Sequence, residues 1–433
     1  MAQRAGVFFL LGGLLLSSVH AGDIPGLIPY RKGDKWGYCD PQRKIVVPAQ
    51  YDRSFPFHAG MGRVQKGGRF GFVDTLGIEV IPLFYDQAGD FADGSAPVTK
   101  SGKWGFVDKS GSEFIPLIYD DLTRFQTGVA GIYLNGKWGA IDRQARTIVT
   151  FIYEDRITFY GWFARIKRGG EYGYLDTYGT EVVPPRYDEA AAAFINGYAR
   201  VERKGKVGYV SPEDREFMFG RFDGVSDLAE GRAVVHKNHK YGFIDSDGKI
   251  LVPLRYDHAA DFHESLAVVA LKGKTGYVDW QGRLKIPIQF EAAGSFREGR
   301  ACVIRDGRKG FIDRLGRLVI EDQYDEAYEF QEGRSRVRSN GKYGFIDTLG
   351  NVVIPFQYDG ADNFNDGRAW VSIGNKSGFV DPAGNEAVPL KYDEAGSIDN
   401  GLILVRLGDR FGYIDIQGRE YFDDKTERIK EKE

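Results

Sequence analysis

Four histidines lie near one another and are the side chains best suited to hold a metal ion. His236, His239, His258 and His263 all fall in one short part of the 433-residue chain. Imidazole nitrogens bind Zn or Cu when several of them converge. Here they stand in segments that alternate like β-strands, where successive side chains point to opposite faces. We therefore predict no metal site, and this histidine cluster is the place where metal binding is to be tested.

Four carboxylates are the residues that hydrolytic chemistry would use. Glu171, Glu213, Asp214 and Glu216 lie where the chain departs from its otherwise regular pattern. A carboxylate pair across a scissile bond supplies the acid and the base or nucleophile of a glycosidase. These residues are the candidates if the protein is an envelope enzyme acting on carbohydrate or peptidoglycan.

Other catalytic motifs do not occur in the sequence. Gly273-Lys274-Thr275 resembles the end of a phosphate loop, but Val268 stands where that loop needs a glycine. The chain has no G-x-S-x-G elbow. Its two cysteines, Cys39 and Cys302, replace apolar residues, so we expect buried thiols and no disulfide framework. We predict no catalytic residues, no cofactor and no enzymatic activity.

The elements that carry these residues come from an internal repeat. A basic-aromatic-Gly-aromatic-aliphatic-Asp segment recurs twelve times, and its glycines are spaced by 34 residues except for one step of 35. Those glycines are Gly37, Gly71, Gly105, Gly139, Gly173, Gly208, Gly242, Gly276, Gly310, Gly344, Gly378 and Gly412. A period of this length is typical of solenoids and propellers.

Each copy predicts a meander of three short strands. In the third copy the segment Lys103–Asp108 is the central strand, and Asp108 to Gly111 form a turn. A hairpin such as Asn135-Gly136 precedes the central strand. The third strand ends in I-P-x-x-Y-D, and its proline predicts a strand end or a sheet edge.

The K-W-G segment, its period and the trailing Y-D resemble the WG-repeat family of bacterial proteins, from about residue 27 to 423. The resemblance implies a β-repeat array with no established catalytic activity, generally regarded as an interaction module. The sixth copy departs most, since Ser211 replaces the aspartate.

Comparison of the copies separates core from surface. The aliphatic position is apolar in every copy, and the second aromatic position holds Phe or Tyr in all but the one with Ala140. The first aromatic position also accepts Lys309 and Ser377, so we expect it to be half-exposed. We call it the first-slot column, and its aromatic members are the candidate ligand surface: Trp36, Phe70, Trp104, Trp138, Tyr172, Tyr241, Tyr343 and Phe411.

A basic column stands beside the first-slot column, and an acidic residue closes the third strand of every copy, from Asp52 to Asp423. One interpretation pairs the two columns into ladders of surface ion pairs. The other is an exposed aromatic and basic stripe that grips an extended ligand.

The composition and the N-terminal residues indicate the cellular compartment and the class of partner. The formal charge of −3 is spread along the chain, which argues against nucleic acid as a partner. Residues 1–21 have one charge, Arg4, an apolar run and a small-x-small end at Ala21, which predicts a secretory signal peptide. We expect a periplasmic or secreted protein with no transmembrane segment in the mature chain.

The expected architecture is all-β: an open solenoid of twelve three-stranded meanders, in preference to two six-unit propeller-like rings. The predicted parts are a signal peptide at 1–21, a partial repeat or cap at 22–34, repeats 1–6 at 35–210, a degenerate joint with repeats 7–12 at 211–423, and a charged tail at 424–433.

The expected function is that of an exported, non-catalytic scaffold that binds a protein, a peptide or an envelope polymer through an extended surface. Two alternatives stay open: an envelope carbohydrate- or peptidoglycan-active enzyme with its site near repeats 5–6, and a structural spacer.

Overall fold

The computed structural model describes residues 25–423 and is built from β-strands alone. The predicted signal peptide and charged tail lie outside the described residues. The 47 strands form eleven four-stranded sheets and one three-stranded sheet. We number the sheets 1–12 by the order of their K-W-G strands. In the described part of the chain there is no helix of the length and hydropathy needed to cross a membrane.

The strands fall into four positions within a sheet. The first strands are β4 Arg53–His58, β8 Gln87–Ala88, β12 Asp121–Leu122, β16 Phe159–Tyr160, β20 Glu189–Ala190, β24 Gly224–Val225, β28 His258–Ala259, β32 Ala292–Ala293, β36 Glu326–Ala327, β40 Gly360–Ala361 and β44 Glu394–Asp399, with β47 Phe422–Asp423 taking this place in sheet 1. The second strands are β1 Ile28–Lys32, β5 Met61–Lys66, β9 Ser95–Lys100, β13 Val129–Leu134, β17 Phe163–Arg168, β21 Ala199–Arg203, β25 Arg232–Lys237, β29 Leu266–Leu271, β33 Ala301–Arg305, β37 Arg334–Ser339, β41 Ala369–Ile373 and β45 Leu402–Leu407. The K-W-G strands are β2 Lys35–Cys39, β6 Arg69–Asp74, β10 Lys103–Asp108, β14 Lys137–Asp142, β18 Glu171–Asp176, β22 Lys206–Val210, β26 Lys240–Asp245, β30 Lys274–Asp279, β34 Arg308–Ile312, β38 Lys342–Asp347, β42 Lys376–Val380 and β46 Arg410–Asp415. The last strands are β3 Ile45–Tyr51, β7 Glu79–Tyr85, β11 Glu113–Tyr119, β15 Thr147–Tyr153, β19 Glu181–Tyr187, β23 Glu216–Met218, β27 Ile250–Tyr256, β31 Leu284–Phe290, β35 Leu318–Tyr324, β39 Val352–Tyr358 and β43 Glu386–Tyr392.

The predicted three-stranded meander did not include the short first strand of each four-stranded sheet. This strand follows the Y-D of the preceding copy almost without a loop, and in most sheets it is two residues long. Two residues are too few to show an alternating pattern in the sequence. The rest of the meander is confirmed: Asn135 and Gly136 both have positive φ, as a two-residue hairpin turn requires. The last strand, which carries the proline of most copies, lies at the edge of sheets 1–11, where proline removes no ladder hydrogen bond.

Neighbouring sheets pack face to face through one repeated interface. Side chains alternate across each K-W-G strand, so Trp36 and Tyr38 share one face and Cys39 lies on the other. Trp36 and Tyr38 pack with Val64 and Val73 of the next sheet. An aromatic face therefore meets an aliphatic face at each step, and a single copy cannot bury its apolar side chains alone.

The array closes on itself, so the expected open solenoid is not what the structure shows. β47 pairs in parallel with β1, with Phe422 opposite Arg31, and takes the place of the first strand that sheet 1 lacks. Ile28 and Cys39 of sheet 1 pack with Leu402 of sheet 12 in one buried cluster. A head-to-tail interface generates a ring when the rotation at each step divides the circle. The sequence shows the period of the copies but not that rotation.

The twelve sheets form a single propeller-like ring, not two rings of six. Sheet 6 contains the degenerate sixth copy and shares with sheet 7 a buried cluster that includes Val207, Phe219, Leu228 and Val235. The irregularity is confined to the last strand of sheet 6, which is three residues long.

Candidate binding surface

Alternation places the first-slot column on the aromatic face of each sheet, at the interface with the next sheet. Trp36 and Trp138 are buried, at 4% and 7% exposure, whereas Phe411 is 43% exposed. The other five aromatic members are half-buried. The expected half-exposed column is therefore found for most members, with Trp36 and Trp138 as exceptions.

These aromatic rings do not line one continuous groove. Trp36 and Phe411 lie 5.8 Å apart between ring centroids, across the closing interface. No other two members of the column have their rings in contact in the part of the chain that the structure describes. Each ring stands between two sheets and faces its own neighbours.

Cations of the protein itself cover several of these rings. Arg165 and Lys167 lie 4.7 and 4.6 Å from the ring centroid of Tyr172. Arg165 also donates to the backbone carbonyl of Ala190 in the next sheet, at 2.8 Å. Such contacts use the cation–π attraction within the fold. The aromatic and basic side chains therefore join sheets here and do not form an open stripe.

Tyr343 shows the most enclosed case. Its hydroxyl donates to Glu326 at 2.7 Å, and Tyr328 and Arg338 donate to the same carboxylate at 2.8 and 2.9 Å. These hydrogen bonds, from Tyr343 first, lower the pKa of Glu326 to about 2. A column member held in this way is not free to bind a ligand.

The invariant glycine beside the column is required by close approach of the backbone. A Cβ on Gly37 would stand 2.2 Å from the carbonyl oxygen of Val47 in the same sheet. The same clash with the last strand occurs at the other copies, except at Gly412, where the ring of Phe422 is the obstacle. Close backbone approach is therefore the general reason for the glycine.

The basic and acidic columns pair with each other, as the ladder interpretation predicts. Pairs seventeen residues apart form in eight copies: Lys35–Asp52, Arg69–Asp86, Lys103–Asp120, Lys137–Glu154, Lys240–Asp257, Arg308–Asp325, Lys342–Asp359 and Lys376–Asp393. The second carboxylate oxygen of Asp257 accepts from the backbone amide of Lys272 at 2.7 Å. Since Lys272 belongs to the hairpin of the next sheet, the acidic residue links successive sheets.

The four histidines are only partly brought together. His236 and His258 flank the ring of Tyr241, with ring centroids 5.3 and 5.5 Å away. His239 occupies a hairpin turn with φ of 59°, and His263 bridges to Leu266 at another turn. Among the described residues no group of three histidine, cysteine or acidic side chains is placed to hold a metal ion.

Of the carboxylates near the sixth copy, Asp214 and Glu216 are engaged with arginines, whereas Glu213 accepts a hydrogen bond from the hydroxyl of Ser211 at 2.6 Å. Arg186 donates to Asp214 at 2.5 and 3.0 Å and to Glu216 at 3.2 Å. Arg203 also contacts Glu216 at 3.2 Å. Glu171 stands at the start of β18, paired across the hairpin with Arg168. Neither Asp214 nor Glu216 is an unpaired carboxylate facing open space.

The two cysteines are free thiols, as expected, and their burial differs. Cys39 is fully buried and Cys302 is partly buried. Burial raises the pKa of Cys39 to about 12 and that of Cys302 to about 11. Neither thiol has the thiolate character that a nucleophile needs.

A pair of clefts lies between sheets 11 and 12. Two adjoining cavities of about 620 and 390 Å³ share Trp370 and Ala395 in their walls. Ser377, a non-aromatic member of the first-slot column, lines the larger cavity, and Ile398 lines the smaller one. Sequence reasoning missed this place, because it compared the column and not the position of Ile398, which is phenylalanine in most copies.

Comparison with known proteins settles the family. The WG containing repeat matches nine stretches that together cover more than half of the chain: residues 36–70, 70–104, 104–138, 172–206, 241–274, 276–308, 310–343, 343–376 and 378–411. The chain belongs to the WG-repeat family. The unmatched stretches include Ala140 of the fourth copy and Ser211 of the sixth, where the sequence departs from the WG pattern.

Solved structures resemble this WG-repeat ring only distantly. PorZ, an essential bacterial surface component of the type-IX secretion system of Porphyromonas gingivalis, is 11% identical with a TM-score of 0.23; the match covers 84% of this chain and 64% of PorZ, less than two thirds of that protein. The extracellular domain of the one-component system BT4673 from B. thetaiotaomicron is 8% identical with a TM-score of 0.25, over 91% of this chain and 75% of that one. Hsv2p of Kluyveromyces lactis is 8% identical with a TM-score of 0.30, over 60% and 92%. None of these likenesses bears on function, and no curated protein sequence matches the chain.

Proposed function

We propose that this WG-repeat protein is an exported, non-catalytic scaffold that binds a protein, a peptide or an envelope polymer. The observation that carries the proposal is the division of each copy into constant and variable positions. The glycine allows the K-W-G strand to approach the last strand of its own sheet closely. The acidic residue accepts a hydrogen bond from the next sheet, so both positions stabilise the ring. The first-slot position varies from Trp36 to Ser377 at the same place in the interface.

Variation at that position changes the surface without changing the ring. A large ring such as Trp138 is buried between sheets, whereas the small side chain of Ser377 lies beside an open cleft. A repeated frame with variable clefts is a general way to build an extended binding surface. Export is proposed from residues 1–21, whose pattern is that of a signal peptide.

The two alternative functions, an envelope enzyme and a structural spacer, predict different surfaces. An enzyme near repeats 5–6 needs two carboxylates free to act on a substrate, and Arg186 engages both Asp214 and Glu216. A structural spacer predicts no exposed aromatic stripe and no ligand-sized cleft; the rings form no open stripe, but Ser377 lines a cleft of about 620 Å³. These observations favour the binding scaffold.

The test is capture from an envelope fraction of the source cell by immobilised residues 22–433. We expect a saturable partner that is retained at moderate salt and is lost, at least in part, on substitution of first-slot or cleft residues. Leu349→Ala is the matched control, because Leu349 is 72% exposed in a turn and controls for non-specific apolar capture. Recovery of the same material by an unrelated β-propeller, or of nothing saturable, would contradict the proposal.

A further inference from the structure

We propose that the cleft between sheets 11 and 12 binds a neutral saccharide unit, stacked on Trp370. This inference rests on the proposed scaffold function and names the ligand class of one of its clefts. The cleft is defined here by Trp370, Ser377, Asn363, Glu394, Arg406 and Ile398.

The cleft exists because Ser377 and Ile398 have smaller side chains than the aromatic residues found at these two positions in most other copies. In eight of the interfaces, the second aromatic of one sheet meets a phenylalanine of the next at 4.6–5.0 Å between ring centroids: Tyr38–Phe57, Phe72–Phe91, Phe106–Phe125, Tyr174–Phe194, Phe243–Phe262, Tyr277–Phe296, Phe311–Phe330 and Phe345–Phe364. At the corresponding place Phe379 meets Ile398, with Gly396 and Ser397 beside it. Ser377 replaces the first-slot aromatic in the same interface. These eight interfaces thus serve as an internal reference for a closed interface.

Trp370 occupies the opened space without filling it. It stands opposite Phe379 on the neighbouring strand, so its ring lies on the face turned toward sheet 12. The ring is half-buried and passes close to Gly360, where a Cβ would stand 3.1 Å from it. In no other copy is this position a tryptophan. The indole therefore offers a flat apolar surface within a cavity of a size typical of small-ligand sites, about 300–1,000 Å³.

The charges around the cleft are already paired. Lys376 contacts Asp393 at 2.6 Å, and Arg406 contacts Glu394 at 2.6 Å. Hydrogen bonding from Arg406 lowers the pKa of Glu394, so this carboxylate stays ionised near neutral pH. A charged ligand would have to separate one of these pairs. A neutral ligand can instead hydrogen-bond to the outer edges of both pairs.

One polar atom in the cleft wall lacks a partner. The side-chain oxygen of Asn363 accepts no hydrogen bond from the described residues and is shielded from solvent, so a ligand donor reaches it only when the amide turns toward the cleft. An amide oxygen needs a donor, and hydroxyl groups are donors that carry no charge. A ligand with a flat apolar face and several uncharged donors fits these groups, and a pyranose ring has both features.

A peptide is the less favoured occupant. Peptides that add to a sheet edge use a row of free backbone groups. The edge strand that lines the cleft, β44 Glu394–Asp399, is interrupted by a register shift between Ala395 and Ile398, so it offers no regular row of free backbone groups. The stacking surface and the unpaired acceptor are therefore the features that select the ligand.

The test measures binding of a panel of neutral oligosaccharides of glucose, mannose and N-acetylglucosamine to residues 22–433 at millimolar concentration. Titration calorimetry and tryptophan emission are followed together. We expect at least one member to bind with a change in emission, and Trp370→Phe to abolish that change and weaken binding about tenfold or more. Trp162→Phe is the control, since Trp162 is 59% exposed in a turn of sheet 5.

A second variant keeps the test independent of damage to the fold. Ser377→Tyr with Ile398→Phe restores the residue types that close the other interfaces, so it should fold at least as stably and lose saccharide binding. Binding that survives this double substitution, or a panel in which no member binds, overturns the saccharide proposal. If the unmodified protein captures a peptide and the double variant does not, the cleft is a peptide site and the proposed ligand class is wrong. If the double variant still captures an envelope partner, the scaffold proposal stands without this cleft. If the unmodified protein captures nothing, both proposals fail.

Discussion

The side-chain amide of Asn400 donates to the backbone carbonyl of Phe57, 3.0 Å away in space and 343 residues earlier in the chain. The same atom lies 3.1 Å from Nδ1 of His58. Asn196, at the corresponding turn of sheet 6, donates to the carbonyl of Leu228 in sheet 7 at 3.0 Å. Phe57 belongs to the first strand of sheet 2, so the turn of sheet 12 contacts sheet 2 in the way that the turn of sheet 6 contacts sheet 7.

Asn400→Ala should loosen the closing interface selectively. Loss of one partly buried hydrogen bond costs about 1 kcal/mol, or roughly a fivefold rise in local opening. Cys39 reports on that opening, because it is buried where sheet 1 meets sheet 12. We expect a faster rate of alkylation of Cys39 in the native state and an unchanged rate at Cys302, measured by mass spectrometry.

Asn196→Ala is the matched control for this experiment. It removes the corresponding hydrogen bond between sheets 6 and 7, so it should lower the thermal midpoint without changing the rate of alkylation of Cys39. Rapid alkylation of Cys39 in the unmodified protein would show that the ring is open in solution.

The glycine column allows a matched pair of substitutions in sheet 9. Gly310→Ala places a Cβ 2.6 Å from the carbonyl oxygen of Ile320, whereas at Gly294 the nearest atom is 3.8 Å away. We expect Gly310→Ala to lower the free energy of unfolding by about 1–3 kcal/mol, since the backbone must shift. Gly294→Ala should stay within about 0.5 kcal/mol. Urea denaturation measures both, and equal effects would exclude close backbone approach as the reason for the glycine.

The copies could be predicted from the sequence far better than their arrangement. Alternation around Gly105 predicts the strand, its aromatic face and its turn correctly, because these depend on neighbours within one copy. Ring closure depends on a small rotation accumulated over twelve interfaces, which no local pattern records. The two-residue strand Gln87–Ala88 was missed for a related reason: it forms only because β9 is there to pair with it.

The acidic column should matter more than the basic column to stability. Asp257 accepts from Lys240 at 2.5 Å and from the backbone amide of Lys272 at 2.7 Å, and these contacts lower its pKa. Lys240→Ala removes an exposed ion pair only. Asp257→Ala also leaves an amide of the next sheet without its acceptor. We expect the larger drop in the urea midpoint for Asp257→Ala, with most of that drop persisting at high salt, where exposed charges are screened. Equal midpoints for the two variants would count against the link between sheets.

Glu326 should give the ring a dependence on acid pH. The folded protein lowers the pKa of Glu326 from its ordinary 4.5 to about 2, through hydrogen bonds from Tyr343 and Tyr328. The stabilisation is therefore present above about pH 5 and is lost as the pH falls toward 2. Glu326→Gln should lower the free energy of unfolding by about 1.5–3 kcal/mol at neutral pH and by much less near pH 2. Denaturation at both pH values checks this, and an equal effect at the two would contradict it.

The candidate site was predicted only in outline. The first-slot column was expected to be half-exposed, which holds for most of its aromatic members but not for Trp36 and Trp138. The open-stripe interpretation does not hold where Arg165 covers the ring of Tyr172 and Glu326 binds the hydroxyl of Tyr343. The cleft at Trp370 could have been found by comparing the phenylalanine position across copies, since Ile398 breaks that series. The cavity itself depends on which small residues face each other across two sheets, and this requires the packing.

Pairing of β47 with β1 also limits how the gene can change. An open array gains or loses a copy at its end with little effect on the rest, whereas in a closed ring every insertion alters the curvature at all the other interfaces. Duplication or deletion of a single copy should therefore be strongly selected against. Diversification is then left to substitution within the twelve existing copies, at positions such as Trp370 and Ser377.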